Sequence, residues 1–298
     1  MKENKLNTIK IWWMALRPKT LPASIIPVIM GIALAKKNHT INFFLVFITL
    51  FCAILIQIGT NLVNDYSDFK KGADDDKRIG PLRVTQAGLI SESNMKRGIY
   101  FVLFLILLSS IFLIIRGGIP ILIIGISALL AGYYYTGGSS PYGYLGFGDI
   151  FVLIFFGPVS LAGAYYIQTL TVNPLIIFTG LGPGLISVAI LTVNNIRDID
   201  NDRRTGKKTL VVRLGRKFGI IEYNLSIIIA SFIPLIASLL SPTFYANSKI
   251  SIIILLLLIH PYKILKTYRD GEKLNEILSF TGKILVIYGI IFILGLFI

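Results

Sequence analysis

Two stretches of amides and carboxylates interrupt otherwise apolar segments of the chain, Asn61-Leu-Val-Asn-Asp-Tyr-Ser-Asp68 and Asn194-Asn-Ile-Arg-Asp-Ile-Asp-Asn-Asp202. In a helix, residues three or four apart share a face. Asn61, Asn64, Asp65 and Asp68 then form one polar stripe, and Asn194, Asp198 and Asp202 form a second. Asp200 falls off that line and is expected in solvent. A carboxylate in an apolar membrane segment costs roughly 2.5–3.5 kcal/mol on insertion scales, so such groups mark function. Mg²⁺ takes oxygen ligands, commonly one or two carboxylates together with phosphate oxygens. A pair of acidic helix ends suits a metal-bridged diphosphate better than a dry structural ion. The competing reading is solvated helix ends paired with Arg78, Arg83, Arg197 or Arg203.

Basic residues near the stripes are suited to phosphate oxygens, Arg in bidentate fashion and Lys as a point charge. Arg17 and Lys19 precede the first apolar segment, and Arg78 and Arg83 flank Gly80-Pro81. Each also has a simpler use as a basic anchor at a membrane surface. The aromatic stretch Tyr133–Asp149 is expected to make a tight Gly- and Pro-rich turn against the same site. Tyr135, Tyr142 and Tyr144 are its candidates for an aromatic acceptor or a nearby cation.

The elements that must position these groups follow from composition. Of 298 residues, 54% are hydrophobic and only 15% charged, against about 25% charged in a soluble domain. The expected fold is all-α and polytopic: one membrane domain over residues 1–298, with about nine transmembrane helices around a central cavity. Segments of roughly 20 apolar residues suffice to cross. They fall at 20–36, 41–64, 97–115, 119–136, 148–170, 175–196, 219–240, 249–267 and 278–298.

With that arrangement the basic residues are strongly one-sided. Lys36, Lys37, Arg116 and Lys249 lie on one side, and the rest of the 29 lie on the other, with all 15 acids. The positive-inside rule makes the rich side cytoplasmic, with the N-terminus inside, the C-terminus outside and the acidic stripes facing the cytoplasm. The net charge of +14 is therefore a topology signal, and no nucleic-acid partner is implied. Met1–Lys10 followed by an uninterrupted apolar run gives no clear cleavage site, so the first span is expected to stay.

Other motifs are weaker. Gly143–Gly148 lacks the βαβ context of a dinucleotide loop, and Gly206-Lys-Lys-Thr209 lacks the earlier glycine of a nucleotide phosphate loop. His39 and His260 fall on opposite sides. Cys52 stands alone in an apolar span and is expected to be structural.

Several motifs together resemble the UbiA-type superfamily of intramembrane prenyltransferases, and within it the branch that prenylates 1,4-dihydroxy-2-naphthoate in menaquinone synthesis. They are Arg17-Pro-Lys-Thr-Leu-Pro22, Asn61–Gly72, Arg78-Ile-Gly-Pro-Leu-Arg83, Tyr135-Thr-Gly-Gly138, Pro141–Asp149, Phe155-Phe-Gly-Pro-Val159 and Asn194–Asp202 with Gly206–Leu210. The resemblance implies a Mg²⁺-dependent transfer of a polyprenyl group from an allylic diphosphate, with loss of CO₂ and diphosphate, giving demethylmenaquinone. With it, Asp65, Asp68, Asp198 and Asp202 are the catalytic candidates; Arg17 is implied at the diphosphate, for which Lys19, Arg78 and Arg83 are candidates by charge and position. Asn61, Asn64, Asp68, Asn194, Asp198 and Asp202 fall to the metal. Many superfamily members carry a further acid where this chain has Gly72, and Asp74, Asp75 or Asp76 are the candidates to replace it. Another aromatic acceptor, of hydroxybenzoate or homogentisate type, is the alternative. A transporter is the more distant one, disfavoured because transport needs polar access from both faces.

Overall fold

The computed structural model describes residues 7–72, 80, 82–269 and 271–298. Among them every regular element is helical. The first two are α1, Thr8–Leu16, and α2, Leu21–Asn38, followed by α3, Phe43–Lys70, and α4, Glu92–Tyr134. α5, Gly148–Ile154, runs through a π-turn at Phe155–Val159 into α6, Ser160–Thr169. Next are α7, Pro174–Arg197, the short α8, Ile199–Arg204, and α9, Leu210–Leu214. α10, Arg216–Leu240, leads through α11, Pro242–Tyr245, to a 3₁₀ segment, Ala246–Leu258, which continues as α12, Ile259–Thr267. α13, Gly271–Phe297, is the last.

Among the described residues eight helical stretches are long and apolar enough to cross a membrane, where the apolar runs suggest about nine. The difference lies in α4, which contains both 97–115 and 119–136 and whose 43 residues are broken at Gly118 (φ 65°, ψ −151°). Only glycine adopts that conformation readily, and Pro120 removes a further backbone donor. Val102 and Ile106 lie beside Gly59, while Gly132 lies against Thr60. Both arms of α4 thus meet the same turn of α3, and the chain doubles back at Gly118.

α3 also outruns the expected boundary at residue 64 and stays helical to Lys70. Its polar stripe faces the protein interior, where hydrogen-bond partners replace water. The glycines of α7 let it press against the π-turn. A Cβ on Gly180 would fall 2.6 Å from Pro158 Cα, and one on Gly184 would fall 2.5 Å from Leu153 O. Such small-xxx-small contact brings helix backbones together without a side chain between them, and it turns Phe155 and Phe156 toward the interior.

The buried side chains form two groups. One is built from α2, α6, α7, α10, α12 and α13 around Ile186, Tyr223 and Tyr288. The other is built from α1, α3 and α4 around Leu62, Val84 and Met95. Residues of both groups line a cavity of about 510 Å³.

Candidate active site

The cavity has a polar end and an apolar length. Asn64, Asp68, Arg83, Asn194, Asp198, Asp202 and Lys207 line the former, and Thr49, Ala53, Leu113, Ile121, Ile124 and Leu129 belong to the latter. Asp68 and Thr49 are both on α3, about 28 Å apart along its axis at 1.5 Å per residue. Leu107, Leu122 and Ile126, on the two arms of α4, line the cavity and are also exposed on the outer surface. The apolar part therefore opens sideways between those arms.

The two stripes converge. Lys207 Nζ lies 3.9 Å from Asp68 Oδ2 and 3.7 Å from Asp202 Oδ1, so one cation sits between a carboxylate of each helix end. The turn after α4 ties the same groups together. Tyr144 donates its hydroxyl to Asp68, accepts the Lys208 N–H at its carbonyl (2.7 Å), and offers its ring to Lys71 and Lys207 at 5.0 and 4.8 Å. A left-handed Gly146 (φ 85°) permits this approach, since a Cβ there would fall 2.8 Å from Lys208 O.

Each stripe has its own partners. Arg83 is paired with the Asp68 carboxylate and donates to Asn64 O at 3.0 Å, while Thr136 donates to Asn64 Oδ1 at 2.7 Å. On α7, Arg197 grips both oxygens of Asp198 at 2.8 and 2.6 Å. It also donates to Asn194 Oδ1 at 2.7 Å and Asn275 Oδ1 at 2.8 Å. α7 ends at Arg197, yet Asp198 N and Asp202 N still donate to Asn194 O and Asp198 O. That hydrogen-bonding keeps Asn194, Asp198 and Asp202 on the cavity wall, and Asp200 is exposed, as its spacing implies.

Asp65 takes a different place. It is absent from the cavity wall, accepts the Thr85 N–H at 3.1 Å and lies 3.9 Å from Arg17. One residue along a helix is a rotation of about 100°, enough to turn Asp65 away from the line of Asn64 and Asp68 toward the segment after Gly80. Asn61 lines the cavity, but its amide donates to Leu16 O and Thr20 Oγ1 (2.9 and 3.0 Å) and its oxygen accepts from Gln57 (3.3 Å). It holds the α1–α2 connection against α3. Arg17 sits at a left-handed backbone (φ 51°) in that connection, a conformation costly for a non-glycine residue. With exposed Lys19 it reaches the cavity wall. Arg78, Asp74, Asp75 and Asp76 lie outside the described residues.

The aromatic wall is built around Tyr142, which stacks on Phe151 at 4.0 Å and meets Tyr135 edge-on at 5.5 Å. Its hydroxyl donates to Ala131 O. Burial raises the pKa of the Tyr142 hydroxyl and, reinforced by Asp149, that of Tyr135. Both stay neutral, offering ring faces rather than phenolates. Lys207, Lys71 and Thr136 are site residues that the sequence does not single out, and Arg197 enters there only as a counter-ion for a solvated helix end, where the structure buries the pair. Lys207 carries the one legible signal, a basic residue five positions after Asp202 in a glycine-punctuated turn.

No cluster of three or more His, Cys, Asp or Glu residues is preformed among the described residues. The donor set nevertheless suits a divalent cation, because Asp68 and Asp202 already share one positive charge in the Lys207 ammonium. One family model, UbiA prenyltransferase family, matches residues 24–283, a stretch that holds both acidic helix ends and most of the cavity lining.

The chain belongs to the UbiA prenyltransferase family.

This UbiA protein is 36% identical over 306 residues to the 1,4-dihydroxy-2-naphthoate octaprenyltransferase of Escherichia coli strain K12, covering 100% of this chain and 98% of that one. It is also 36% identical to the enzyme of that name from Haemophilus influenzae, covering 97% and 96%. Its fold is shared with a UbiA homolog from Archaeoglobus fulgidus bound to GPP and Mg²⁺, at TM-score 0.69 and 16% identity over 97% of this chain and 100% of that one. A UbiA homolog from Aeropyrum pernix K1 matches at TM-score 0.70 and 15% identity, covering 92% and 98%. The protein is thus an integral membrane member of this family.

Proposed function

We propose that the protein transfers a polyprenyl group from an allylic diphosphate to 1,4-dihydroxy-2-naphthoate, releasing CO₂ and diphosphate and giving demethylmenaquinone in its quinol form. The observation that carries the reading is the Lys207 ammonium shared by Asp68 and Asp202 at the polar end of an apolar, laterally open cavity. Relatives bearing that activity in their names, similar over nearly the whole chain, support the acceptor.

The diphosphate binds at the polar end, where Arg83, Lys207 and Arg17 meet its oxygens and the isoprenoid tail lies along Ala53, Ile124 and Leu129. Asp68 and Asp202, with Asn64, Asn194 and Asp198, are the residues that would hold Mg²⁺. When bound, the metal supplies neutralising charge to the diphosphate leaving group. The allylic C–O bond breaks with its electron pair leaving on the diphosphate, and charge placed in advance by Arg83 and Lys207 lowers that barrier. Apolar walls exclude water from the carbocation, and the neutral faces of Tyr135, Tyr142 and Tyr144 stabilise it. The electron-rich ring forms the new C–C bond. The carboxylate then leaves as CO₂, its bonding pair restoring the aromatic ring, so no external oxidant is needed.

The site faces the cytoplasm of a bacterial-type cell membrane in this proposal, with the N-terminus inside, the C-terminus outside and residues 1–298 acting as one membrane unit. The experiment is product mass spectrometry. Purified protein with the naphthoate and allylic diphosphates of several chain lengths should yield the decarboxylated adduct, and chelation of divalent metal should stop it. Preferential conversion of 4-hydroxybenzoate or homogentisate in direct competition would overturn the acceptor assignment while keeping prenyl transfer.

A further inference from the structure

Away from the main cavity, α10 and the 3₁₀–α12 segment leave a groove of about 700 Å³ between them. Lys217 and Lys266 stand at one end, with Tyr262 beside them, and Ile221, Leu225 and Leu255 wall its length. We propose that this groove binds an anionic phospholipid of the leaflet at the polar end of the bundle, with the phosphate on the two lysines and an acyl chain along α10.

The order of chemistry along the groove matches a lipid. Lys217 is in the first turn of α10, and Gly219 packs on Ile196 and Val211, which sets this end level with Asp198. Asn224, the uncharged polar side chain of the wall besides Tyr262, is about 10 Å deeper along the axis, and Ile228 about 16 Å deeper. The charged end of the groove thus gives way along α10 to hydrocarbon interrupted by one amide, as a phosphate headgroup gives way to an acyl chain. Ile221, Leu225 and Ile259 are exposed and face the hydrocarbon zone.

The lysines are held ready. Arg216 donates to Leu265 O at 2.9 Å and to Tyr268 O, clamping the start of α10 to the end of α12. Lys266 lies over the Tyr262 ring at 5.9 Å, and neither lysine makes an ion pair among the described residues. A second copy packed here about a twofold axis would set lysines against lysines. A basic pocket between membrane helices attracts anionic headgroups, at about 1 kcal/mol per Lys near the surface.

Native mass spectrometry of the full chain, titrated with phosphatidylglycerol or phosphatidylcholine, tests this. The expected result is preferential retention of phosphatidylglycerol. Lys217→Ala with Lys266→Ala should weaken it by at least tenfold, two lysines corresponding to about thirtyfold. Lys10→Ala with Arg97→Ala, outside the groove, should leave it unchanged. Leu225→Trp, which fills the groove while keeping both lysines, should also displace the lipid. Unfolding midpoints in neutral detergent show that the variants fold. Equal retention of the two lipids, undiminished binding in the double-lysine variant, or a dimer abolished by Leu225→Trp would each overturn the proposal.

Discussion

The two acidic stripes look alike in sequence but are compensated differently. Asp198 is gripped by Arg197, its own neighbour, whose side chain is fully buried and is further fixed by Asn194 and Asn275. Among the described residues Asp68 makes no ion pair with an adjacent residue. Its charge is shared among Arg83, Lys207 and Tyr144, which arrive from three separate segments. A counter-ion from the adjacent residue is set once the end of α7 forms, whereas a divided one depends on the assembled site. In the proposed function the α7 stripe is thus the fixed half of the diphosphate clamp and the α3 stripe the adaptable half.

The largest expected effect is common to both halves. Asp68→Asn and Asp198→Asn should each lower turnover by about 10²–10³-fold, the usual cost of removing one electrostatic contact to a developing charge. Single-turnover assays with saturating diphosphate check it. Near-normal rates in both variants would remove the clamp altogether.

The comparison sharpens with the arginines. Arg197→Ala leaves Asp198 buried and uncompensated, which costs about 3–5 kcal/mol, and should lower the unfolding midpoint in detergent markedly. Arg83→Ala leaves Lys207 and Tyr144 on Asp68, so it should unfold less readily than Arg197→Ala while losing more diphosphate affinity. The opposite ranking would reverse the roles assigned to the two stripes.

Lys207→Met removes the charge between the halves without emptying the space. An increase of about 10- to 100-fold in KM for the diphosphate is expected, since a charge-assisted contact is worth roughly 1.5–3 kcal/mol, with the unfolding midpoint little changed. Steady-state kinetics across donor concentrations separates this from a loss in kcat.

Much of this arrangement is legible in the sequence. Carboxylates at apolar helix ends are conspicuous because they are costly, and their three- and four-residue spacing placed Asn64 with Asp68 and Asn194 with Asp198 and Asp202. The partners were less visible. Arg83 meets Asp68 across a connection whose path no periodicity encodes. Arg197 adjoins Asp198, yet adjacent residues point about 100° apart on a helix; only the end of α7 at Arg197 lets the two side chains meet. The bend at Gly118 is implied by the break between two apolar runs, and a single non-helical glycine is all that separates the two arms. Gly206-Lys-Lys-Thr209 reads as an incomplete nucleotide loop, a pattern that gives no sign of the contacts Lys207 makes with Asp68 and Asp202.

Asp65 provides the finest test, because it belongs to the α3 stripe by spacing but not by contact. Asp65→Asn keeps an oxygen for the Thr85 N–H and removes only the charge facing Arg17, at 3.9 Å. Arg17 would then be held less firmly at its left-handed backbone, and the loss should appear as a severalfold weaker diphosphate KM with kcat nearly intact. Arg17→Gly, which relieves that backbone and deletes the guanidinium, should reproduce the KM change without lowering the unfolding midpoint. A kcat loss in Asp65→Asn as deep as that in Asp68→Asn would place Asp65 among the working acids. The dividing line on α3 would then have to include the face turned toward Thr85.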